Sequence, residues 1–142
     1  PETARPSAAA VRVDGHAVTM EAYNLGGYTY FKLRDVAAAL RQTPKAFAVG
    51  YDDAARQISV ATGTPYVLTG GELSGSAASN QKALPCLLTI RIDGAEVKLT
   101  AYNIGGNNYI KLRELGSALN FGVSWNAAGQ TIDLSSATGY SE

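Results

Sequence analysis

Three tyrosines are the side chains of this chain best suited to meet a ligand. Tyr28 and Tyr30 precede Phe31 and Leu33, and Tyr109 precedes Ile110 and Leu112 in a matching stretch. Side chains alternate across a strand, so with Phe31 and Leu33 inward Tyr30 points to the opposite face, as Tyr109 does. An aromatic ring on an open sheet face stacks on a sugar ring or anchors an interface. Cross-strand packing is the competing reading. Tyr23-Asn24 and Tyr102-Asn103 are either ligand contacts or the end of a strand entering a Gly-Gly turn, where Asn is favoured. Arg34 and Arg113 each precede an acid, as an anion clamp or a local salt bridge would. Tyr51 and Trp125 fall at equivalent inward positions and read as core.

Other chemistry lacks its partners. His16 is the single histidine and Cys86 the single cysteine. No intrachain disulfide or cysteine-based zinc site can be built from one thiol, and Cys86, in Leu84-Pro-Cys-Leu-Leu, reads as a small buried hydrophobe. Asp52-Asp53 stands in an expected turn without the further oxygen ligands a calcium loop needs. The serines have no histidine or lysine at activating spacing, and the Gly-Gly pairs match no phosphate-binding pattern. No catalytic residue, metal site or cofactor is therefore expected.

The elements that carry these residues come in two copies. Residues 11–40 align without a gap on residues 90–119 at an offset of 79, with 15 of 30 positions identical. The match resumes at an offset of 74, residues 47–60 over residues 121–134, so the first copy carries five extra residues around Pro44. In each copy Asp14-Gly15 or Asp93-Gly94 predicts a two-residue hairpin turn. The return strand places Val18, Met20 and Ala22, or Val97, Leu99 and Ala101, on one face. After Gly26-Gly27 or Gly105-Gly106 comes a third strand. The period then changes to that of a helix with Leu33, Val36, Ala37 and Leu40, or Leu112, Leu115, Gly116 and Leu119, on one stripe. Two more strands follow, with Phe47 and Val49, or Phe121 and Val123, inward.

The expected fold class is thus α+β: two tandem β-β-β-α-β-β modules, each an antiparallel five-stranded sheet wrapped on one short helix. The boundaries read as an N-terminal tail at 1–9, module 1 at 10–64, a Gly/Ser-rich linker at 65–86, module 2 at 87–136 and a C-terminal tail at 137–142. A module of about 50 residues buries little surface. Docking of the copies, or packing of the linker through Tyr66, Val67, Leu68 and Leu73, is therefore expected.

The motif Ala-Tyr-Asn-Leu/Ile-Gly-Gly-x-x-Tyr-x-Lys-Leu-Arg-Asp/Glu, at residues 22–35 and 101–114, resembles the copper amine oxidase N-terminal-like, or stalk, domain. The resemblance covers about two thirds of the chain. It implies a five-stranded antiparallel sheet twisted around a helix, used as an appendage of secreted, multidomain bacterial proteins. It does not imply the oxidase chemistry, which needs three histidines and an Asn-Tyr-Asp/Glu motif; here Ile110 follows Asn108-Tyr109.

Composition limits the partners. The 142 residues are 46% hydrophobic and 17% charged, with 12 basic and 12 acidic side chains. That balance lacks the basic excess of nucleic-acid binding. The longest apolar runs, such as residues 83–88, fall far short of a membrane span. The chain opens on Pro1 and a Pro/Ala-rich stretch, as a linker behind a removed leader, a fragment or a cloning boundary would. The expected role is a non-catalytic stalk or adaptor at the cell surface, positioning other domains of a larger extracellular protein. The alternative is a module for cell-wall glycan or polysaccharide, using Tyr28, Tyr30 and Tyr109.

Overall fold

Two equivalent hairpin tips show how the local signals are realised. Asp14 and Gly15 have φ of 50° and 83°, and Asp93 and Gly94 have 51° and 86°. Positive φ at both central residues is the turn whose twist suits a tight hairpin. The computed structural model of the chain describes residues 2–75, 77 and 79–142. Pro1, at the head of the expected tail, and Ser76 and Ala78, in the expected linker, lie outside the described residues.

The first copy runs β1 (Glu2–Pro6), β2 (Ala10–Val13), β3 (His16–Val18), β4 (Ala22–Leu25), β5 (Tyr28–Lys32), α1 (Leu33–Leu40), β6 (Phe47–Asp52) and β7 (Gln57–Thr62). The second repeats it as β8 (Gln81–Pro85), β9 (Thr89–Ile92), β10 (Ala95–Glu96), β11 (Ala101–Ile104), β12 (Asn107–Lys111), α2 (Leu112–Leu119), β13 (Gly122–Asn126) and β14 (Thr131–Ser135).

These strands do not form two five-stranded modules, and the expected fold is corrected on that point. The molecule is mostly β, built from a closed six-stranded antiparallel barrel, β1-β4-β5-β12-β11-β8, and two four-stranded sheets, β10-β9-β7-β6 and β13-β14-β2-β3. Both copies contribute to all three. β14 pairs in parallel with β2 and β7 with β9, so the first hairpin of each copy completes the sheet of the other. Turn residues fix a hairpin but not its neighbour. With half of the aligned positions identical, each copy's hairpin fits the edge offered by the other. Closing the barrel across the copies also removes the exposed edges that separate five-stranded sheets would leave.

Two stretches expected as tail and linker carry barrel strands. β1 and β8 pair with each other, with Thr3 opposite Lys82, and also flank β4 and β11. The expected return strand through Met20 breaks between β3 and β4, which lets β3 stay in a four-stranded sheet while β4 enters the barrel.

The main core is common to both copies: Phe31, Leu33, Val36 and Phe47 pack in one cluster with Ile110, Leu112, Leu115 and Phe121. A second cluster fills the barrel with Ala4, Tyr23, Leu25, Tyr30, Ala83, Ile104 and Tyr109. The barrel strands are therefore buried on both faces along β5 and β12. Of the expected linker contacts, Tyr66 is buried and Leu73 packs against the main core, whereas Val67 and Leu68 are exposed.

Candidate functional site

Tyr30 and Tyr109 do alternate away from Phe31 and Ile110, but into the barrel rather than to solvent. They are 3% and 2% exposed. Tyr23 meets Tyr109, and Tyr30 meets Tyr102, in equivalent T-shaped pairs with centroids 5.3 and 5.4 Å apart. Such edge-to-face packing suits the ring quadrupoles. The Tyr109 hydroxyl donates to Glu21 Oε2 at 2.7 Å, and Glu21 also pairs with Lys32 Nζ at 2.9 Å. Burial and then this carboxylate push the Tyr109 phenol well up. Burial, followed by the neighbouring Tyr102 and Glu114, pushes Tyr30 up to about 12. Both side chains are buried inside the barrel, each packed on a tyrosine of the other copy.

Tyr28 behaves differently. It stands at the mouth of β5, 54% exposed, and lines a cleft of about 380 Å³. The opposite contribution is Trp125 of β13, 53% exposed. Lys111 and Arg113, from the end of β12 and the start of α2, supply the charges, and Asn24, Thr29, Ser7 and Ser124 supply neutral polar groups. Both charged lining residues are cationic, and among the described residues no carboxylate lines the cleft. Lys111 Nζ lies 3.8 Å from the centroid of the Tyr28 ring, a cation–π contact that fixes the orientation of the ring. The same ammonium lies 3.6 Å from Glu114.

The cleft sits where the copies meet. Residues 7–9, on the link from β1 to β2, form part of its wall. They are Ser-Ala-Ala, whereas the equivalent positions 86–88 are Cys-Leu-Leu, whose Cys86 and Leu88 pack on the main core. Asn107 stands where the first copy has Tyr28. Small side chains on the wall and a tyrosine at the rim thus mark this side of the pseudo-symmetric molecule.

Trp125 and Tyr51 were expected to point inward, and the structure corrects this. Each lies near the end of an edge strand, β13 or β6, one residue before a turn, and Tyr51 is 40% exposed. Alternation tells which face a side chain takes, not how far the layer beneath it extends. The turn closed by Asn126 Oδ1 accepting from Gly129 N was the available signal that Trp125 stands at a sheet corner. Lys111 gave no signal in the sequence, because it enters the cleft through the pairing of β12 with β5.

The arginines part company. Arg34 donates to the Tyr66 hydroxyl at 2.9 Å and stacks over Tyr51 at 4.7 Å. Arg113 is exposed. Three of the four Tyr-Asn side chains serve the barrel and its turns, since Tyr23 is buried there, Tyr102 donates to Glu2, and Asn103 Oδ1 accepts from Gly106 N, whereas Asn24 lines the cleft. Cys86 is half-buried. Among the described residues no three His, Cys, Asp or Glu side chains gather as a metal site, and no helix is long and apolar enough to cross a membrane. Compared with protein-family models, curated proteins and solved structures, the chain matches none.

Proposed function

We infer that the chain is a non-catalytic extracellular module whose Tyr28–Trp125 cleft holds a saccharide bearing an anionic group, such as a cell-wall glycan. One observation carries this reading: two half-exposed aromatic rings border a concave site whose charged lining groups, among the described residues, are Lys111 and Arg113. An aromatic face offers an apolar platform to the C–H face of a sugar ring. The two cations favour a carboxylate or phosphate substituent, and Asn24, Thr29 and Ser124 can exchange hydrogen bonds with hydroxyls.

Retention on insoluble peptidoglycan, with titration of oligogalacturonate and of a neutral cello-oligosaccharide, tests it. Trp125→Ala and Lys111→Met should each weaken anionic-glycan binding tenfold or more, and neutral oligosaccharide should bind worse than the acidic one. Equal binding by wild type and both variants, or no binding to any of the three, would dismiss the cleft as the site.

A spacer or adaptor role, in line with the resemblance to stalk domains, is the second reading. It is supported by the exchange of hairpins between the copies, since separating them would break both four-stranded sheets and the barrel.

A further inference from the structure

In the first copy one glutamate ties a tyrosine, a lysine and the start of a helix together. Lys32 lies directly opposite Tyr109 where β5 pairs with β12, so the two side chains share a face. Glu21 Oε2 bridges them, accepting from the Tyr109 hydroxyl at 2.7 Å and pairing with Lys32 Nζ at 2.9 Å. The Glu21 amide donates in turn to Asp35 Oδ2 at 3.3 Å, at the start of α1. The stretch from Tyr66 to Ser74 lies over α1 there, its Tyr66 hydroxyl accepting from Arg34 and its Leu73 amide donating to Asp35 Oδ1. The fold thus accommodates a phenol, a lysine and two carboxylates in one cluster.

Three of these four groups recur at the two-fold-related place. Lys111 lies opposite Tyr30 in the same pair of strands. Glu114 stands for Asp35 and accepts from the Thr100 amide, as Asp35 does from that of Glu21. The fourth group is missing, because Thr100 stands where the first copy has Glu21. The Thr100 hydroxyl turns to Glu114 Oε2 at 3.0 Å, and the residue is exposed where Glu21 is half-buried.

Two donors are left over. The side chains of Lys111 and Lys32 are equally withdrawn, 19% and 21% exposed. Among the described residues, however, the Lys111 ammonium meets the Tyr28 ring and Glu114, the latter at 3.6 Å and so beyond hydrogen-bond reach. Tyr30 is buried, yet its hydroxyl donates to no described residue and is not sealed from solvent. Burial pushes this phenol up to about 12, so it remains a donor at neutral pH.

We propose that the Tyr30 hydroxyl and the Lys111 ammonium receive a carboxylate of the ligand, in the place that Glu21 fills in the first copy. The inference rests on the saccharide reading for the body of the ligand, since Lys111 lines the Tyr28–Trp125 cleft, and it narrows the ligand to a sugar acid. Two observations choose a carboxylate. Glu21 itself shows that a carboxylate satisfies this tyrosine and lysine together. Glu114 stands beside the place as Asp35 stands beside Glu21, so one further negative charge matches the first copy, whereas a dianionic phosphate exceeds it.

Two measurements on the full chain test this. The first needs no ligand. Thr100→Glu supplies the missing carboxylate from the chain itself and should raise the melting temperature by about 4 °C. Tyr30→Phe removes a hydroxyl that bonds nothing in the protein, so alone it should leave the melt unchanged, and in the Thr100→Glu background it should remove part of the gain. The second is titration of trigalacturonate, its methyl ester and a sulfated galactan trisaccharide. The acid should bind at least tenfold more tightly than either. Tyr30→Phe and Thr100→Glu should each cut the preference for acid over ester at least tenfold. No gain from Thr100→Glu, or the same gain with Tyr30→Phe present, would overturn the carboxylate place. Equal binding of acid and ester, or a sulfated sugar bound as tightly as the acid, would overturn it while leaving the cleft a sugar site. Binding of none of the three sugars would instead dismiss the saccharide reading, with the melts still deciding whether the place takes a carboxylate.

Discussion

Phe31 and Ile110 stand at the same place in their respective copies and lie directly opposite each other where β5 pairs with β12. Thr3 and Lys82, again equivalent, face each other where β1 pairs with β8. A two-fold axis relating the copies therefore passes through two opposite walls of the barrel. The molecule is the intramolecular counterpart of an isologous dimer, in which each surface meets its own equivalent. Neither half has a core of its own, because the main cluster draws on both. Cleavage of the chain between Gly75 and Asn80 should consequently leave the two fragments associated. They should co-elute in native size-exclusion chromatography and separate only in denaturant. Two fragments that tumble independently after the cut would refute the shared core.

The exchanged hairpins are tied down at their tips. Asp14 accepts from the Ser136 amide and hydroxyl at 2.8 and 2.6 Å, and Asp93 does the same for the amide and hydroxyl of Thr62. Each aspartate thus holds the strand end of the other copy. Asp14→Ala should destabilise the fold by about 1–2 kcal/mol, because two donors lose a charged acceptor and alanine also tolerates positive φ poorly. Asp14→Asn should lose less, since asparagine accepts a hydrogen bond and adopts the left-handed region readily. Urea denaturation of the two variants measures the difference, and an alanine variant as stable as the asparagine one would show the tip bonds to be idle.

Much of this was legible in the sequence, and the part that was not has a physical cause. Hairpin turns, the α stripe and the repeat are local, so Asp14-Gly15, Gly26-Gly27 and the Leu33–Leu40 spacing specify them. Which strand a hairpin joins is a choice between two nearly identical edges, and no residue of β2 declares β14 its neighbour. The inward side of Tyr30 was likewise readable as "not the face of Phe31", but alternation cannot tell a solvent face from the inside of a barrel. Trp125 and Lys111 were missed as cleft residues because their meeting with Tyr28 depends on that inter-copy pairing.

Glu21 sits between the barrel and the main core, bonded to Tyr109 and Lys32. Burial alone would raise its carboxyl. The hydrogen bonds from Lys32 and Tyr109, with the lysine charge, outweigh burial and hold it below its ordinary value of 4.5. A depressed folded-state value means stability that is present above the unfolded value and lost as pH falls through the folded one. The stability gap between wild type and Glu21→Gln should be constant above about pH 5.5, roughly 1–2 kcal/mol, and should shrink steadily below about pH 4.5. Tyr109→Phe should lower the pH-7 stability by about 1 kcal/mol and reduce the effect of Glu21→Gln when the two are combined. Strictly additive losses in that cycle would break the link between the two side chains.

Asp35 poses the reverse case and gives the sharpest test of why α1 is covered. It is 2% exposed at the start of α1, and burial raises its carboxyl despite the amides of Leu73 and Glu21 that it accepts. A raised folded-state value disfavours the charged form in the folded protein, so this group gains stability as pH falls towards its unfolded value, opposite in sign to Glu21. Its worth at neutral pH lies in the two amides, donated at 3.1 and 3.3 Å by segments 38 and 14 residues away. Asp35→Ala leaves both donors without their acceptor in a tight site. The loss should be about 1–3 kcal/mol. It should also be local: hydrogen exchange should quicken at Leu73 and Thr69, while Phe121 and Leu134 keep their protection. In the second copy Glu114→Ala should free the Thr100 amide, yet leave exchange at Tyr140 unchanged, because Tyr140 is held by Asn120 and not by Glu114. A loss of protection at Tyr140 in that variant would mean that the segment over α2 is anchored through the helix-start acid after all, as the segment over α1 is.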